Sequence, residues 1–397
     1  MKISIIGDCH LNKSAYSSVE DSRTDIPFRS ADFMDSFEFI INKNINEIKP
    51  DVIVVAGDIF DSHSPTSEIS AFFNEQMIKL KKEKIPVLIL VGNHDICSKH
   101  HALKPLKALE VPNVKVIDEV KIIQFKDKLF VLFPHCMDVE KGLISMKEKL
   151  KESSNKLKEY LKENEVKKDD IILFGHMPVS GATLKSYSNK NKSLNMKYKN
   201  NEEVNLNDLD DFGSKYVFLG DFHKHQKLDT KNCDAYYTGS IERTDMSERD
   251  QDKGFIVFDD GLVSFVKYPE TRKMISIQGN LQEIKRQINE VVKNNFSKRP
   301  IVEIKYKGSK DDYRNFCIEF DVIKKTLKEN INPIHMYDSS EVELTNNEKD
   351  VKVKIQNNDF PTGKNAILDI IKELIMEETS DEEEVEKILK EAKEYFQ

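Results

Sequence analysis

Short apolar runs alternate with segments of helical spacing through the first hundred residues of this chain. The runs at 2–6, 51–56 and 86–91 are rich in Val, Ile and Leu, which is typical of strands covered on both faces. Between them, apolar residues recur at helical spacing over 30–48 and 67–83. This alternation of strand and helix predicts an α/β fold.

Beyond residue 110 the predicted strands follow one another more closely. They cover 113–117, 120–125, 128–133, 169–174, 215–220, 234–238, 254–258 and 262–267. We expect the first three to form a meander ahead of a Lys/Glu-rich helix near 140–163, and the last three to run antiparallel to one another. This spacing favours a sandwich of two sheets flanked by helices over a doubly wound open sheet. The polar stretch 185–211 is predicted to be a surface loop, with a substrate-contacting excursion as the alternative.

The pattern changes near residue 273 and divides the chain into regions. The predicted regions are a first domain over 1–272, a small α+β module over 273–345, a polar linker over 346–363 and a C-terminal region over 364–397. The module rests on a strand–helix–strand pattern at 273–277, 281–295 and 300–307. The C-terminal region contains two helices with apolar stripes, which either pack on the chain itself or bind a partner.

The composition describes a well-hydrated protein with an excess of acidic residues. Charged residues make up 33% of the 397 residues, and the formal net charge is −8. An acidic balance argues against a nucleic-acid partner, because contacts to the phosphate backbone need a basic surface. Net charge is a sum over the whole chain, however, and a basic groove can lie on an acidic protein. The length favours two or three domains.

The cysteines and the N-terminus predict a cytoplasmic protein. The five cysteines are scattered, and none forms a CxxC pair, which is typical of thiols in a reducing compartment. The chain enters a predicted strand at once, which leaves no room for a signal peptide. No apolar run approaches the roughly 20 residues that span a bilayer, so a membrane partner is not expected. A nucleotide loop of the GxxxxGK type is also lacking, so we do not expect this chain to hydrolyse ATP itself.

Five short motifs carry the chemistry, and each follows a predicted strand. They are Gly7-Asp8-Cys9-His10, Gly57-Asp58, Gly92-Asn93-His94-Asp95, Gly175-His176 and Gly220-Asp221-Phe222-His223. Side chains at the carboxyl ends of neighbouring strands meet at one edge of a sheet. Their carboxylate, amide and imidazole groups suit Mn²⁺ or Fe, with Zn²⁺ as an alternative. Asp58 can bridge two such ions, which lie about 3.5–4 Å apart in two-metal hydrolases.

The third motif predicts an acid catalyst beside the metals. Two adjacent ions activate a water and neutralise phosphate charge, and a protonated histidine can then supply a proton to the leaving oxygen. We expect His94 to be that acid and Asp95 to orient it. Each motif alone has an ordinary explanation: Asp-x-His is commonly a turn or a cap, and His176 alone would be a satisfied buried histidine. The joint order of the motifs and their position at strand ends outweigh these explanations.

The motif series resembles that of the calcineurin-like metallophosphoesterases, and in particular the SbcD-type DNA double-strand-break repair exonucleases. The closer resemblance rests on Gly7–Leu11, Ala56–Asp61, Val91–Asp95, Tyr237–Arg243 and Lys253–Phe255, and it covers about residues 1–270. It implies one metal held by Asp8, His10, Asp58 and His223. It implies a second metal held by Asp58, Asn93, His176 and the residue at 221. His94 would be the catalytic histidine.

The resemblance also implies a reaction and partners. The reaction would be Mn²⁺-dependent phosphodiester hydrolysis on DNA, exonucleolytic on duplex ends and endonucleolytic on single strands or hairpins. The partner would be a coiled-coil ABC-type ATPase of the SbcC kind, and the nuclease would act as a homodimer. Residues 273–345 would be a capping domain that contacts DNA, and the helices of 364–397 would dock on the ATPase.

The fifth motif departs from the Gly-His-x-His that is usual in this family. Asp221 stands at the usual place of a histidine, and a carboxylate can replace an imidazole as a metal ligand. In the alternative register, His223 and His225 form the pair. We favour Asp221 and His223, because Gly220 then keeps its place ahead of the ligand. Two other functions stay open: a phosphatase or phosphodiesterase for small molecules, and a weakened scaffold that only binds DNA ends.

Overall fold

Two six-stranded β-sheets form the frame of the protein in this computed structural model. The residues that the structure describes are 1–16, 26–97, 99–109, 111–182, 203–307, 310–326 and 332–337. The predicted linker over 346–363 and the predicted C-terminal helices of 364–397 lie outside the described residues. Among the helices that the structure describes, none combines the length and the apolar character of a membrane span.

Strands and helices alternate as far as the fourth strand, and strands predominate after it. The strands, in chain order, are β1 (Lys2–Ile6), β2 (Val52–Ala56), β3 (Val87–Leu90), β4 (Val114–Ile117), β5 (Lys121–Phe125), β6 (Lys128–Phe133), β7 (Ile171–His176), β8 (Val179–Ser180), β9 (Val204–Asn205), β10 (Tyr216–Gly220), β11 (Gln226–Lys227), β12 (Asp234–Tyr237), β13 (Gly254–Asp259), β14 (Leu262–Lys267), β15 (Met274–Gly279), β16 (Ile301–Tyr306) and β17 (Asn332–Tyr337). The helices are α1 (Phe28–Lys43), α2 (Ser67–Lys82), α3 (Lys104–Ala108), α4 (Met137–Glu140), α5 (Met146–Glu163), α6 (Leu206–Asp210), α7 (Leu281–Lys293) and α8 (Lys310–Thr326). A π-helical turn, Asn44–Ile48, extends α1, and 3₁₀ turns occupy Lys168–Asp170 and Met246–Glu248.

Parallel strands occupy the centre of both large sheets. The first sheet has the order β14-β13-β1-β2-β3-β4, and the second has the order β11-β12-β10-β7-β6-β5. Strands β1 to β4 run parallel, as do β6, β7, β10 and β12. The carboxyl ends of the central strands therefore lie at one edge within each sheet. The predicted fold class, an α/β sandwich of two sheets flanked by helices, is confirmed.

The core explains why the strand sequences are nearly all apolar. On the inner face, Ile5 and Val54 of the first sheet pack with Phe174 of the second. On the outer face, Ile53 packs in a second cluster with Phe37 of α1. A strand covered on both faces has no solvated positions, so the alternation of apolar and polar residues disappears.

Capping side chains set where several helices begin. Thr66 accepts a hydrogen bond from the backbone N–H of Ile69 at the start of α2. At the start of α5, Ser145 and Glu148 form a reciprocal capping box. The helix predicted near 140–163 is α5, which begins later, at Met146. The short helix α4 ends at Glu140, and Gly142 lies between the two in a left-handed conformation.

Two predicted strand pairings are wrong. Strands β4 and β5 do not belong to one meander, because β4 pairs with β3 in the first sheet and β5 pairs with β6 in the second. Strand β12 likewise lies parallel to β10 in the second sheet, whereas β13 and β14 form a hairpin in the first. Apolar spacing marks each strand but carries no information on its partner, which is chosen by contacts between residues distant in the chain.

The described part of the stretch 185–211, residues 203–211, is not a loop. Residues 183–202 lie outside the described residues. The rest contains β9, which pairs parallel with β8, and α6, whose first turn is capped by Asn205 and Asp208. The predicted surface loop is therefore wrong for residues 203–211, because Asn and Asp favour the capped first turn of a helix as well as loops.

The region after residue 273 forms a third, separate sheet. Strands β15, β16 and β17 are parallel, and their apolar residues pack with those of α7 and α8. Element β15, helix α7 and β16 match the predicted strand–helix–strand pattern. Helix α8 and strand β17, which the pattern at 273–307 does not include, complete a β-α-β-α-β arrangement.

A buried charge cluster links α1 to the start of this third sheet. The carboxylate of Asp32 accepts two hydrogen bonds from Arg272, at 2.6 and 2.9 Å. It also contacts Arg29 at 2.7 Å and Lys298 at 3.2 Å. Burial alone would raise the pKa of Asp32, but Arg272, Arg29 and Lys298 outweigh burial and lower it.

Candidate metal centre

Residues from all five motifs converge at the carboxyl ends of the central strands. The loops after β1, β2 and β3 carry the first three motifs, while His176 ends β7 and Asp221 follows β10. Three groups of ligand atoms each lie within 4.8 Å of one another. They are Asp8, His10 and His223; His10, Asp58 and His94; and Asp8, Asp58 and His176. Overlap among these groups makes one continuous cluster.

One side of the cluster is formed by Asp8, His10 and His223. The Nε2 atoms of His10 and His223 lie 3.0 Å apart. Oδ2 of Asp8 is buried and has no hydrogen-bond partner among the described residues. A buried carboxylate oxygen without a partner is unfavourable unless a cation satisfies it. This side therefore fits a metal ion.

The other side is formed around His176. Its Nε2 lies 2.8 Å from Oδ1 of Asn93, 3.4 Å from Oδ1 of Asp58 and 3.9 Å from Oδ1 of Asp221. Its Nδ1 lies 2.7 Å from the carbonyl oxygen of Ala56, which can only accept a hydrogen bond. The proton therefore belongs on Nδ1, which leaves Nε2 free as a metal ligand.

Asp58 faces both sides with different oxygens. Oδ2 lies 3.7 Å from Nε2 of His10, whereas Oδ1 lies 3.4 Å from Nε2 of His176. Oδ1 also accepts a hydrogen bond from the backbone N–H of His94 at 3.0 Å. A carboxylate oriented in this way can bridge two ions.

The backbone of the site is strained where the ligands leave the strands. His10, Asp58 and Asp221 have φ angles of 41°, 49° and 97°, a region that side chains other than glycine rarely occupy. Gly57 has a φ of 94°, and a Cβ there would overlap Nδ1 of His176. The glycine ahead of Asp58 is thus required by close approach as well as by conformation.

The cluster carries more negative than positive charge. Burial lowers the pKa of His176, but Asp58, Asp8 and Asp221 outweigh burial and raise it to about 9. Burial raises the pKa of Asp221 to about 6, against the opposing effect of His176. Three carboxylates, an amide oxygen and imidazoles in one buried space are a donor set that suits divalent cations.

Comparison with known proteins agrees with this geometry. The model of the family described as calcineurin-like phosphoesterase matches residues 1–231. This chain belongs to that family. The family predicted from the motifs is confirmed, and the sandwich with ligands at the strand ends is its metallophosphoesterase domain.

Three relatives share this domain at modest identity. "DNA double-strand break repair protein Mre11" of Archaeoglobus fulgidus is 26% identical over 303 residues, 70% of this chain and 61% of that protein. The SbcD nuclease subunit of Staphylococcus epidermidis is 27% identical over 270 residues, 64% of this chain and 69% of that protein. Mre11 of Methanocaldococcus jannaschii is 26% identical over 353 residues, 86% of this chain and 84% of that protein. The chain thus spans less than two thirds of the length of the Archaeoglobus protein.

The predicted role of Asp95 is not what the structure shows. Asp95 is fully buried, and its carboxylate accepts hydrogen bonds from the backbone N–H groups of Gly92, Phe60 and Ile59 at 2.9, 3.0 and 3.3 Å. It therefore joins the loop after β3 to the loop after β2 instead of orienting His94. Adjacency in sequence was misleading, because consecutive side chains in a turn point in different directions.

His94 is oriented by a backbone group. Its exposed ring places Nδ1 2.9 Å from the carbonyl oxygen of Asp61, so Nδ1 carries a proton. The ring meets that of His10 edge-on, with centroids 4.9 Å apart. His94 thus lies at the solvent side of the cluster.

His225 lies away from the cluster. Its Nδ1 lies 3.0 Å from the carbonyl oxygen of Tyr237, and its ring stacks on Phe265 with centroids 4.2 Å apart. The structure places Asp221 and His223 at the site. The alternative register therefore finds no support in the structure.

Residues that the sequence analysis missed hold His223 in place. Nδ1 of His223 lies 2.8 Å from Oε1 of Glu248 and 3.0 Å from Oγ1 of Thr244. The fully buried Nζ of Lys253 contacts the other oxygen of Glu248 at 2.7 Å. Burial alone would raise the pKa of Glu248, but Lys253 and His223 outweigh burial and lower it. In the sequence, Lys253 belongs to the Lys253-Gly254-Phe255 stretch that resembles the SbcD-type nucleases, whereas no pattern singles out Glu248.

Proposed function

We propose that this protein is a two-metal phosphodiesterase that hydrolyses DNA in repair or recombination. The observation that carries the proposal is the orientation of Asp58, whose two oxygens face two separate donor sets. Asp8, His10, Asp58 and His223 would hold one ion, and Asp58, Asn93, His176 and Asp221 would hold the other. When bound, such ions activate a water and neutralise charge on the phosphate.

His94 is proposed as the general acid for the leaving oxygen. Its Nδ1 donates to a carbonyl, which leaves Nε2 directed away from the backbone and available to a substrate. Among the described residues, no other imidazole forms a hydrogen bond with His94. The ring of His94 is exposed, so a phosphodiester can reach it. Asp61 positions it through the backbone, so a change in the Asp61 side chain need not disturb this contact.

We propose Mn²⁺ as the metal. Carboxylate and amide oxygens with imidazole are typical of Mn²⁺ sites, while thiolates are lacking from the cluster that the structure describes. Asp221 in place of an imidazole makes the second site richer in oxygen. The additional carboxylate oxygen favours a hard cation such as Mn²⁺ over a soft cation at the second site.

DNA as substrate is supported by the names of the relatives, which are a double-strand break repair protein and a nuclease subunit. Exonuclease action on duplex ends, endonuclease action on single strands or hairpins, a homodimer and an ATPase partner of the SbcC kind remain parts of the proposal. So do DNA contacts by the module at 273–345 and ATPase docking by the helices of 364–397. A cytoplasmic location agrees with the finding that all five cysteines are free.

Hydrolysis assays test the proposal. The purified chain with Mn²⁺ is incubated with linear duplex DNA, with bis(p-nitrophenyl) phosphate and with p-nitrophenyl phosphate. We expect cleavage of the two diesters, loss of both activities in Asp58→Asn, and a large fall in DNA cleavage in His94→Gln with Mn²⁺ binding retained. Activity on the monoester alone would favour a small-molecule phosphatase. DNA binding without hydrolysis in the wild type would favour a scaffold.

A further inference from the structure

The loop between β12 and β13, residues 238–253, contains both side chains that hold His223. We call it the support loop, because Thr244 and Glu248 contact the imidazole from there. These two side chains also hydrogen bond to each other, with Oγ1 of Thr244 2.6 Å from Oε1 of Glu248. The orientation of His223 therefore depends on what fixes the support loop.

Arg243 is a buried cation within the support loop. Through Nη1, its guanidinium donates hydrogen bonds to Oγ1 of Thr271 at 2.8 Å and to the carbonyl oxygen of Arg272 at 2.9 Å. Through Nη2, it donates to the carbonyl oxygen of Gln251 at 3.1 Å. Burial lowers the pKa of Arg243, which is the expected cost of a charge placed among uncharged acceptors. The rigid fork of guanidinium donors is suited to holding several backbone segments in fixed positions.

On one side, Arg243 fixes the shape of the support loop. The carbonyl oxygen of Gln251 accepts from Arg243, and Oε1 of the same residue accepts from Nζ of Lys253 at 3.0 Å. Lys253 pairs with Glu248 at 2.7 Å, and Glu248 contacts His223. None of the residues between Arg243 and His223 on this path is more than 5% exposed. The path is therefore continuous and shielded from water.

On the other side, Arg243 reaches the third sheet. Thr271 and Arg272, which accept its hydrogen bonds, lie directly ahead of β15. The guanidinium of Arg272 donates to the carbonyl oxygen of Arg299 at 2.5 Å, and Arg299 lies just ahead of β16. Arg272 also donates to Asp32 of α1. The backbone that leads into β15 and β16 is thus joined to Arg243 through Arg272.

We infer that Arg243 is a positioning residue for the metal ion held through His223 and that it couples this ion to the third sheet; this inference rests on the proposed function. Groups that orient a metal-binding histidine change metal affinity by about 10–100-fold, and Arg243 holds such groups in place. Its described hydrogen bonds reach neither His176 nor Asp221. Arg243 therefore acts on one of the two ions.

The coupling acts in both directions. If the attachment of the third sheet favours the metal-binding orientation of His223, then metal binding stabilises that attachment by the same free energy. A partner that displaces β15 would in turn change the affinity for the ion held through His223.

A double-mutant cycle tests the path from Arg243 to the metal. Calorimetric titration with Mn²⁺ compares the wild type with Arg243→Met, which keeps an unbranched side chain and removes the donors. We expect one of the two Mn²⁺ sites to weaken by about tenfold, the lower end of the effect of losing an orienting group. In a His223→Ala background, Arg243→Met should change Mn²⁺ binding by no more than about twofold, because the histidine that it positions is absent.

Two further variants separate positioning from folding stability. Leu150→Ala removes a buried side chain of α5 from the core of the second sheet, away from the support loop, and should bind both ions like the wild type. Arg243→Lys keeps the charge without the fork of donors, so its Mn²⁺ affinity should fall between those of the wild type and Arg243→Met. Arg243→Lys also replaces Arg243→Met in the cycle if the latter does not fold. Equal weakening in Leu150→Ala and Arg243→Met, or equal weakening with and without His223, would overturn the inference.

Hydrogen exchange followed by mass spectrometry tests the path from Arg243 to the third sheet. Mn²⁺ should slow amide exchange at the start of β15 in the wild type, because metal binding stabilises the attachment. This protection should be lost in Arg243→Met. Equal protection by Mn²⁺ in both proteins would overturn the coupling to the third sheet.

These results are distinguishable from a failure of the proposed function. A wild type that binds two Mn²⁺ ions and cleaves no DNA would refute the proposed DNA hydrolysis, and the cycle would still decide on Arg243. A wild type that binds fewer than two Mn²⁺ ions would refute the two-metal proposal itself. Wild-type Mn²⁺ affinity in Arg243→Met would overturn only the role of Arg243.

Discussion

Glu248 contacts one candidate metal ligand of the five motifs, His223. We expect Glu248 to control metal binding through that histidine. We consider Glu248→Gln, which keeps the size of the side chain and removes its charge. In the wild type, Glu248 accepts from His223, from Lys253 and from the backbone N–H of Thr244 at 2.9 Å. The amide can accept from only one side, so its NH₂ group must face either His223 or the donors Lys253 and Thr244.

The expected effect of Glu248→Gln has two parts, a loss of metal affinity and a loss of folding stability. Loss of a group that orients a metal-binding histidine costs about 10–100-fold in metal affinity, which corresponds to about 1.4–2.8 kcal/mol. Removal of one partner from a buried ion pair costs about 3–5 kcal/mol in folding stability. We expect the lower end of this range of stability loss, because Lys253 keeps hydrogen bonds to Ser240 at 2.8 Å and to Gln251 at 3.0 Å.

Calorimetric titration with Mn²⁺ measures the first part, and denaturant unfolding of the metal-free protein measures the second. The double variant Glu248→Gln/Lys253→Met lacks the buried charge, so it should regain stability while Mn²⁺ binding stays weak. Glu140→Gln is the matched control, since Glu140 pairs with His135 at 2.9 Å, a histidine outside the proposed ligand set. Wild-type Mn²⁺ affinity in Glu248→Gln, or its recovery in the double variant, would refute the reasoning.

Three further predictions concern backbone, pH and ligand type. Gly57→Ala should bind Mn²⁺ at least tenfold more weakly in calorimetry, because its Cβ overlaps His176 and its φ is positive; wild-type binding would contradict this. Asp32→Asn should lose about 3–5 kcal/mol of unfolding free energy at pH 7. The folded-state pKa of Asp32 is lowered. The stabilisation of the fold by its carboxylate is therefore present above the ordinary pKa of about 3.9 and is lost as the pH falls through the folded-state pKa. A difference in unfolding free energy between the variant and the wild type that persists unchanged in acid would contradict this. Asp221→His should retain Mn²⁺ binding better than Asp221→Ala, because imidazole can also act as a ligand; equal binding would show that residue 221 is not a ligand.

Local patterns in the sequence were sufficient to locate most elements and ligand types. Strand β2 was predicted at 51–56 and is Val52–Ala56, because a strand buried on both faces needs continuous apolar residues. The convergence of Asp8, Asp58 and His176 was predicted from their place at strand ends, since parallel strands bring their carboxyl ends together. These inferences depend on only a few neighbouring residues and on rules that hold in any sheet.

The sequence by itself thus determined the kind of fold and the family, and it predicted which side chains converge as candidate metal ligands. Only the tertiary structure decided that β4 and β5 belong to different sheets, that Asp95 joins two loops, and that Glu248 supports His223. The physical reason is that periodicity records the burial of a residue within its own element, whereas pairing and polar contacts depend on which distant segments meet in space.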